Sequence, residues 1–241
     1  MTSNTKSKAL NSVRLFRTAP HPCSYKSDQI ASTVFVDPDL MIDKSINSKL
    51  SELGYRRSGA HLYRPDCENC SACLSCRVLV AEFIFKRRQR RVWNANQDLE
   101  VVECSDLTGD EPYALYQRYI DHRHDDGDMY PATPEQFEAF IKKKTVDSRF
   151  LKFYLDQQLV AVSVTDVLEQ GLSAVYTFFD PAQTKRSLGG YAILWQIKMA
   201  QDLGLPYLFL GYWIKECQKM EYKSNYRPLQ LLVDGRWVAV N

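Results

Sequence analysis

Cysteines at positions 67, 70, 73 and 76 follow one another at three-residue intervals, and a further thiol, Cys23, sits in His21-Pro22-Cys23-Ser24. Grouped thiolates are soft ligands suited to zinc or an iron–sulfur cluster. The spacing matches neither pattern, because structural zinc sites use two pairs separated by a longer loop and ferredoxin runs place the fourth cysteine differently. A metal or cluster site and a small loop of reduced thiols are therefore both open. Seven cysteines is an odd count, and with no secretory signal it argues for thiols or ligands over disulfides. Cys104 and Cys217 lie in apolar surroundings and read as core.

The densest positive segment is Lys86-Arg87-Arg88-Gln89-Arg90-Arg91. Guanidinium forks bind phosphate well, and cations crowded this closely repel one another unless an anion offsets them. Neither helix-turn-helix nor zinc-finger spacing accompanies the run, which favours RNA phosphate over DNA base reading. A second anion-binding feature is Arg186-Ser187-Leu188-Gly189-Gly190-Tyr191. Glycines at a helix start let backbone N–H groups approach a phosphate, and the helix dipole adds positive potential. His122 and His124, two residues apart, do not share a helical face and read as local caps, not metal ligands. No catalytic triad, nucleophile elbow, Walker A loop or dinucleotide fingerprint is present, so ATP chemistry and covalent acyl-enzyme chemistry lose support.

These groups must be carried by elements that the 241 residues can build, and the proportions are those of a globular chain with one large domain or two small ones. The net charge of +2 hides an asymmetry: residues 1–95 sum to +8, 96–185 to −9 and 186–241 to +3. Two basic flanks point to a polyanionic partner on one face. Residues 1–14 are expected to form a flexible tail without a signal peptide, and no segment has the length of apolar residues a membrane span needs. The expected setting is the cytoplasm, with no membrane partner.

Helical periodicity over 41–53, closed by Gly54, predicts a first helix. The apolar run 78–85 reads as a strand, 86–93 as a basic helix start and 99–103 as a strand. Helices are expected at 110–123 and at 134–144, the latter opened by a Thr133-to-Gln136 capping box with Pro134 in its first turn. Strands 150–155, 159–168 and 172–179 form an antiparallel meander, followed by a helix over 191–203, a strand over 206–213 and a hairpin, 229–233 with 236–240, turning at Asp234-Gly235. Meander, Arg-x-x-Gly-x loop, helix and strand look like the GNAT acyl-CoA N-acyltransferase core, in which this loop holds pyrophosphate. The expected class is mixed α/β, a GNAT-like acyltransferase fold. It is divided into a cysteine-bearing N-terminal transferase domain, 15–95, and a GNAT-like C-terminal domain, 96–241.

Several stretches taken together resemble the arginyl-tRNA-protein transferase family. They are His21 to Tyr25, Gly54 to Gly59, Tyr63-Arg64-Pro65, Cys67 to Arg77, Ser173 to Pro181, Arg186 to Trp195, Leu210 to Ile214, Met220 to Lys223 and Tyr226-Arg227-Pro228. At this length the resemblance is to the bacterial aspartate/glutamate leucyltransferase branch, and it runs in order over about residues 15–232. It implies an N-degron enzyme that moves leucine from leucyl-tRNA to proteins beginning with Asp or Glu, leading to their degradation. The arginyl-transferring branch is the alternative, and a CoA-dependent N-acetyltransferase or a metal-stabilised RNA-binding module are the rivals from other classes.

The resemblance implies that the tRNA acceptor end lies on Arg186, Gly189, Gly190 and Tyr191, with Lys86, Arg87, Arg88, Arg90 and Arg91 on backbone phosphate. Eukaryotic relatives are associated with an iron–sulfur cluster on cysteines matched here by Cys23, Cys67, Cys70 and Cys73. An aminoacyl ester is already activated, so transfer itself needs no cofactor and no protein nucleophile. Asp180, Tyr176 and Tyr212 are candidates for holding the attacking amine or relaying its proton. Arg64, Arg77, Lys223 and Arg227 are candidates for the acceptor's acidic side chain. Phe178, Leu194 and Trp195 are candidates for the apolar pocket around the leucyl side chain.

Overall fold

The structure is a computed structural model that describes residues 13–125, 127, 129–144 and 146–240; residues 1–12, most of the expected tail, lie outside it. The N-terminal segment builds β1 (Leu15–Arg17), β2 (His21–Pro22), β3 (Ile30–Ala31), β4 (Thr33–Val36), α1 (Lys44–Glu52), β5 (Arg56–Ser58) and β6 (His61–Pro65). Strands β1, β4, β6 and β5 form a four-stranded antiparallel sheet in that order, and β2 pairs with β3 alone. Helix α1 starts where the Asp43 carboxylate accepts the Ile46 N–H at 2.7 Å. It ends at Gly54, whose φ of +85° suits a helix C-terminus. Leu50 of α1 packs on Val36, Tyr55 and Leu62 as a small core of its own.

The main body follows as β7 (Leu74–Leu79), α2 (Arg87–Asn94), β8 (Glu100–Cys104), α3 (Glu111–Arg123), α4 (Pro134–Phe137), which runs into one π-helical turn (Glu138–Lys142), β9 (Ser148–Leu155), β10 (Gln158–Val167), β11 (Gly171–Phe179), α5 (Leu188–Asp202), β12 (Tyr207–Trp213), α6 (Gln218–Glu221), β13 (Leu229–Val233) and β14 (Arg236–Val240). Eight strands form one mixed sheet in the order β14-β13-β7-β12-β11-β10-β9-β8. All neighbours are antiparallel except β11 and β12, which run parallel because α5 connects them as a crossover. The meander, the crossover helix and the parallel strand are those expected of a GNAT-like fold.

Two expectations change. Strand β7 spans 74–79, not 78–85, so the last cysteine of the run, Cys76, is a buried strand residue whose thiol meets the Gly211 carbonyl at 3.3 Å. The boundary expected near residue 95 does not divide the main sheet: β7 comes from the N-terminal segment and lies between β12 and β13. The small sheet is also stapled to the large one. Arg57 of β5 donates two bonds of 2.8 Å to the Asp166 carboxylate on β10, Ser148 on β9 donates to the same carboxylate at 2.6 Å, and both members of the ion pair are about 2% exposed or less.

Apolar clusters cover both faces of the large sheet. Ile193, Leu194 and Ile197 of α5 pack on β7, β12 and β13, and Tyr191 and Ala192 pack on β9 and β10. Leu115, Tyr116 and Ile120 of α3, with Phe137 and Ile141 after it, pack on Phe150, Val162 and Phe178. Among the described residues no helix is long and apolar enough to cross a membrane.

Candidate active site

Strands β11 and β12 pair only over 171–173 and 207–209, after which their ladder ends. Each strand then has carbonyls with no partner across the gap, and a buried carbonyl without a donor is costly. Arg56 of β5 fills the fork. Its Nη2 donates to the Val175 carbonyl of β11 at 2.5 Å and its Nη1 to the Leu210 carbonyl of β12 at 3.5 Å. The guanidinium fits because residue 211 is glycine: φ is +76°, and a β-carbon there would lie 1.8 Å from Arg56 Nη1. Gly211→Ala is accordingly expected to expel the guanidinium, lower stability by about 1–3 kcal/mol and depress activity. Thermal unfolding and a transfer assay check this, and an unaltered melting profile would show that the fork tolerates the methyl group.

Above the fork lies a cavity of about 570 Å³. Its wall is aromatic and aliphatic, with Tyr119 from α3, Tyr176 and Phe179 from β11, and Ile193 and Leu194 from α5. Tyr25, Tyr222 and Tyr226 come from outside the sheet. Its rim includes Ser187, Gly189 and Gly190 at the start of α5, together with Arg88 and Gln89 of α2. Gly189 is where a side chain is least tolerable on this rim, since a β-carbon would meet the Phe179 ring at 3.1 Å.

Its floor is cationic. Arg56 and Lys223 both line it, and Lys223 is 4% exposed, with its Nζ donating to the Tyr212 carbonyl. Burial, and secondly the Arg56 charge, push the Lys223 ammonium pKa down to about 8. Among the described residues no carboxylate forms an ion pair with either side chain.

The cavity gathers some of the residues proposed from sequence and leaves others apart. Tyr176 lines it, with a hydroxyl whose pKa is raised by burial and which lies 3.8 Å from Met129 Sδ. Asp180 shapes its own turn, accepting the Ala182 N–H at 3.0 Å, and the Tyr212 hydroxyl lies 2.9 Å from the Gly54 carbonyl and 3.0 Å from that of Tyr63. Neither is among the cavity residues.

Of the four acceptor-side cations only Lys223 reaches the cavity. Arg77 is paired with Glu52 at 2.6 Å and held between the rings of Tyr207 and Trp237. Arg227 bonds the Ser224 and Val240 carbonyls, and Arg64 lies over the Tyr55 ring. Leu194 lines the cavity, whereas Phe178 is fully buried behind it and Trp195 stacks on Trp93.

Of the residues proposed for tRNA, Gly189 and Gly190 lie on the cavity rim, while Tyr191 is buried in the core. Arg186 is engaged by Asp98 through two bonds of 2.8 Å. Lys86, Arg87, Arg88, Arg90 and Arg91 are all exposed, and α2 is anchored beneath them by buried Gln89. The Gln89 amide accepts the Lys86 N–H at 2.7 Å and donates to the Asn225 carbonyl at 2.9 Å.

The thiols of Cys23, Cys67, Cys70 and Cys217 are close enough to Cys73 to raise its pKa, which burial first of all pushes up to about 11. Among the described residues, however, no three Cys, His, Asp or Glu side chains converge as ligands for one ion.

Arg56, Tyr25, Tyr119 and the tyrosines at 222 and 226 line the cavity without having been given a role from sequence, although all but Tyr119 fall within the family-like stretches. One signal was available: a glycine inside a strand pattern, Leu210-Gly211-Tyr212, marks a close approach by another group, here Arg56. His124, read as a cap, does cap α3 and also lines the cavity, against the Tyr119 ring.

Residues 21–91 match the family described as arginine-tRNA-protein transferase, N terminus, and residues 111–233 its C terminus. The aspartate/glutamate leucyltransferase of Pseudomonas fluorescens (strain Pf0-1) is 51% identical over 229 residues, 95% of this chain and 97% of that one. The protein of the same description from Hahella chejuensis (strain KCTC 2396) is 49% identical over 231 residues, 96% and 99% of the two chains. Among solved structures, FemX resembles the chain with a TM-score of 0.51 at 9% identity, over 96% of this chain and 89% of that one, a likeness of fold alone. With both halves of the family pattern matched in order and half the residues shared with full-length relatives, the chain belongs to the arginine-tRNA-protein transferase family.

Proposed function

We propose that the protein transfers leucine from leucyl-tRNA to the N-terminal α-amine of proteins beginning with Asp or Glu, marking them for degradation. The observation that carries this reading is the cavity at the β11/β12 fork, because it joins an apolar wall, an unpaired cationic floor and a basic rim in one space. The rim and α2 would take the tRNA acceptor end, the wall the leucyl side chain and the floor an acid. The chemistry asks little of the protein beyond alignment. The acceptor's amine attacks the ester carbonyl carbon, a C–N bond forms, the ester C–O bond breaks, and the proton leaves the amine for the released ribose hydroxyl. An α-amine has an ordinary pKa of about 8, so only modest help is needed to present it neutral. Tyr176 lines the cavity, and burial keeps the proton on its hydroxyl, where it can serve the oxyanion.

The test incubates the protein with radiolabelled Leu-tRNA or Arg-tRNA and peptides beginning Asp, Glu, Lys or Arg. Label from Leu-tRNA on the Asp and Glu peptides is expected. Label on none refutes the function, and label from Arg-tRNA alone reassigns the donor. Acetyl transfer from acetyl-CoA without tRNA would replace the reading by the CoA-dependent one. Because the ester is already activated, a metal chelator is expected to leave the initial rate within about twofold. A rate abolished by chelation and restored by zinc or by cluster reconstitution would assign Cys23, Cys67, Cys70 and Cys73 to a metal.

A further inference from the structure

Two cations, buried Lys223 and half-buried Arg56, face one cavity with no carboxylate paired to them among the described residues. Such an arrangement is unfavourable in isolation, since the Lys223 ammonium has left water, Arg56 is partly withdrawn from it, and the two charges repel each other. The fold nevertheless holds them there. Arg56 is fixed by the two carbonyls of the fork, which take two of its five N–H groups, and Lys223 is fixed by the Tyr212 carbonyl, which takes one of its three. The remaining donors have no protein acid to satisfy them. We propose that Arg56 and Lys223 together form the seat that reads the acidic side chain of the acceptor's first residue and turns away a cationic one.

This inference rests on the transferase reading given above. The alternative anion at this site is a phosphate of the tRNA end. The geometry favours the carboxylate: Lys223 is 4% exposed at the floor, while the exposed cations stand on α2 at the rim. A phosphodiester carries a nucleoside on either side and cannot bring its charge into a closed floor, whereas a carboxylate on one or two methylenes can. A carboxylate entering between the two cations offsets their repulsion, while a Lys or Arg side chain adds a third positive charge and an amide offsets nothing. Discrimination between Asp and its isostere Asn is therefore the property this pair controls.

The test uses the full-length protein, Leu-tRNA, and fluorescent peptides that differ only in a first residue of Asp, Glu, Asn, Gln or Lys. Peptide affinity is measured by anisotropy, and kcat and KM by transfer. Lys223→Met is expected to weaken Asp and Glu peptides about 30-fold or more, mainly in KM, and to collapse the Asp-over-Asn ratio by a similar factor, with Leu-tRNA affinity changed less than about twofold. Lys223→Arg, which keeps the charge, is expected to restore most of the ratio. Because Arg56 also clasps the fork, it is tested by Arg56→Gln, which keeps donors and loses charge, with Arg56→Lys as the charged partner; only the first should lose the ratio.

A pH series supplies a readout that a purely structural role would not move. The groups facing Lys223 are Arg56 from β5, Cys76 from β7, Cys217 beside α6 and Tyr222, with the Tyr212 carbonyl from β12. With an ammonium pKa of about 8 the seat is charged below pH 8 and loses charge above it, so KM for Asp peptides should rise through that range in the wild type and stay flat in Lys223→Arg. Equal weakening of all peptides, or a fall in tRNA affinity with the Asp-over-Asn ratio intact, would overturn the proposal. Absence of transfer by the wild-type protein to any peptide would instead overturn the function on which it rests.

Discussion

Replacing Asp166 by alanine should lower the stability of the protein by about 3–5 kcal/mol, because it strands the Arg57 guanidinium in a site from which water is excluded. In a chain of this size that corresponds to a fall of about 6–20 °C in melting temperature. The pair joins two sheets, so the loss has a structural direction. Arg57 belongs to β5, which carries Arg56 into the fork on the adjacent residue, and a loosened β5 releases the clasp between Val175 and Leu210. Activity should thus fall at temperatures where the large sheet is still intact. Urea unfolding followed by tryptophan emission, run beside a transfer assay, checks both parts. Replacing both members, Arg57→Met with Asp166→Leu, should recover much of the stability, since a stranded charge is what costs most. A single-mutant loss under about 1 kcal/mol would show that Ser148 and the Gly59 carbonyl hold Arg57 without the acid.

Reversing Arg87, Arg88, Arg90 and Arg91 to glutamate is expected to weaken Leu-tRNA binding about 100-fold or more at low salt and to flatten its salt dependence. Each phosphate contact contributes about 0.7–0.9 to the slope of log affinity against log salt, so losing four should reduce it by roughly 3. The structure strengthens the grounds for this result. All four arginines are exposed, and among the described residues none forms an ion pair with a carboxylate, so they lack the offsetting anions that a merely solvated run would recruit. The helix should also survive the change, because its anchor is Gln89 and not the arginines. Filter binding over a range of salt concentrations measures the slope. An unchanged slope would place the tRNA backbone elsewhere.

How far these features could be read in advance depends on whether their cause is local. The meander, α3 and the C-terminal hairpin follow from hydrophobic period and turn residues that lie within the segment itself, and they stand where expected. Helix α5 begins three residues earlier than its pattern suggested, since Leu188 is buried and Gly189 and Gly190 are helical and not a preceding loop. In β7 the alternation was present: Cys76 and Val78 are buried core. The regular cysteine spacing disguised it as a ligand loop. Strands β1 to β3, two or three residues each, are too short to carry a period and exist through pairing alone.

The site divides in the same way. The basic run and the glycine rim are contiguous in sequence and were legible. Arg56, by contrast, owes its role to two carbonyls more than 100 residues away, and nothing in its immediate neighbours distinguishes it from Arg57, which is consumed by an ion pair.

The position of β7 has a further consequence, for the order in which the protein is made. Its partners on either side, β12 and β13, begin more than 125 residues later, so an emerging nascent chain carries this interior strand of its main sheet with both edges bare until residues 207–233 have been made. Long-range pairing of this kind is slow and leaves strand edges open to wrong partners. Neither half of the chain is thus expected to fold without the other, and truncation from the C-terminal side, by removing β13 and β14, would leave β7 as an exposed edge. The strand that closes the fold from within also makes residues 207–233 decisive for whether it closes at all.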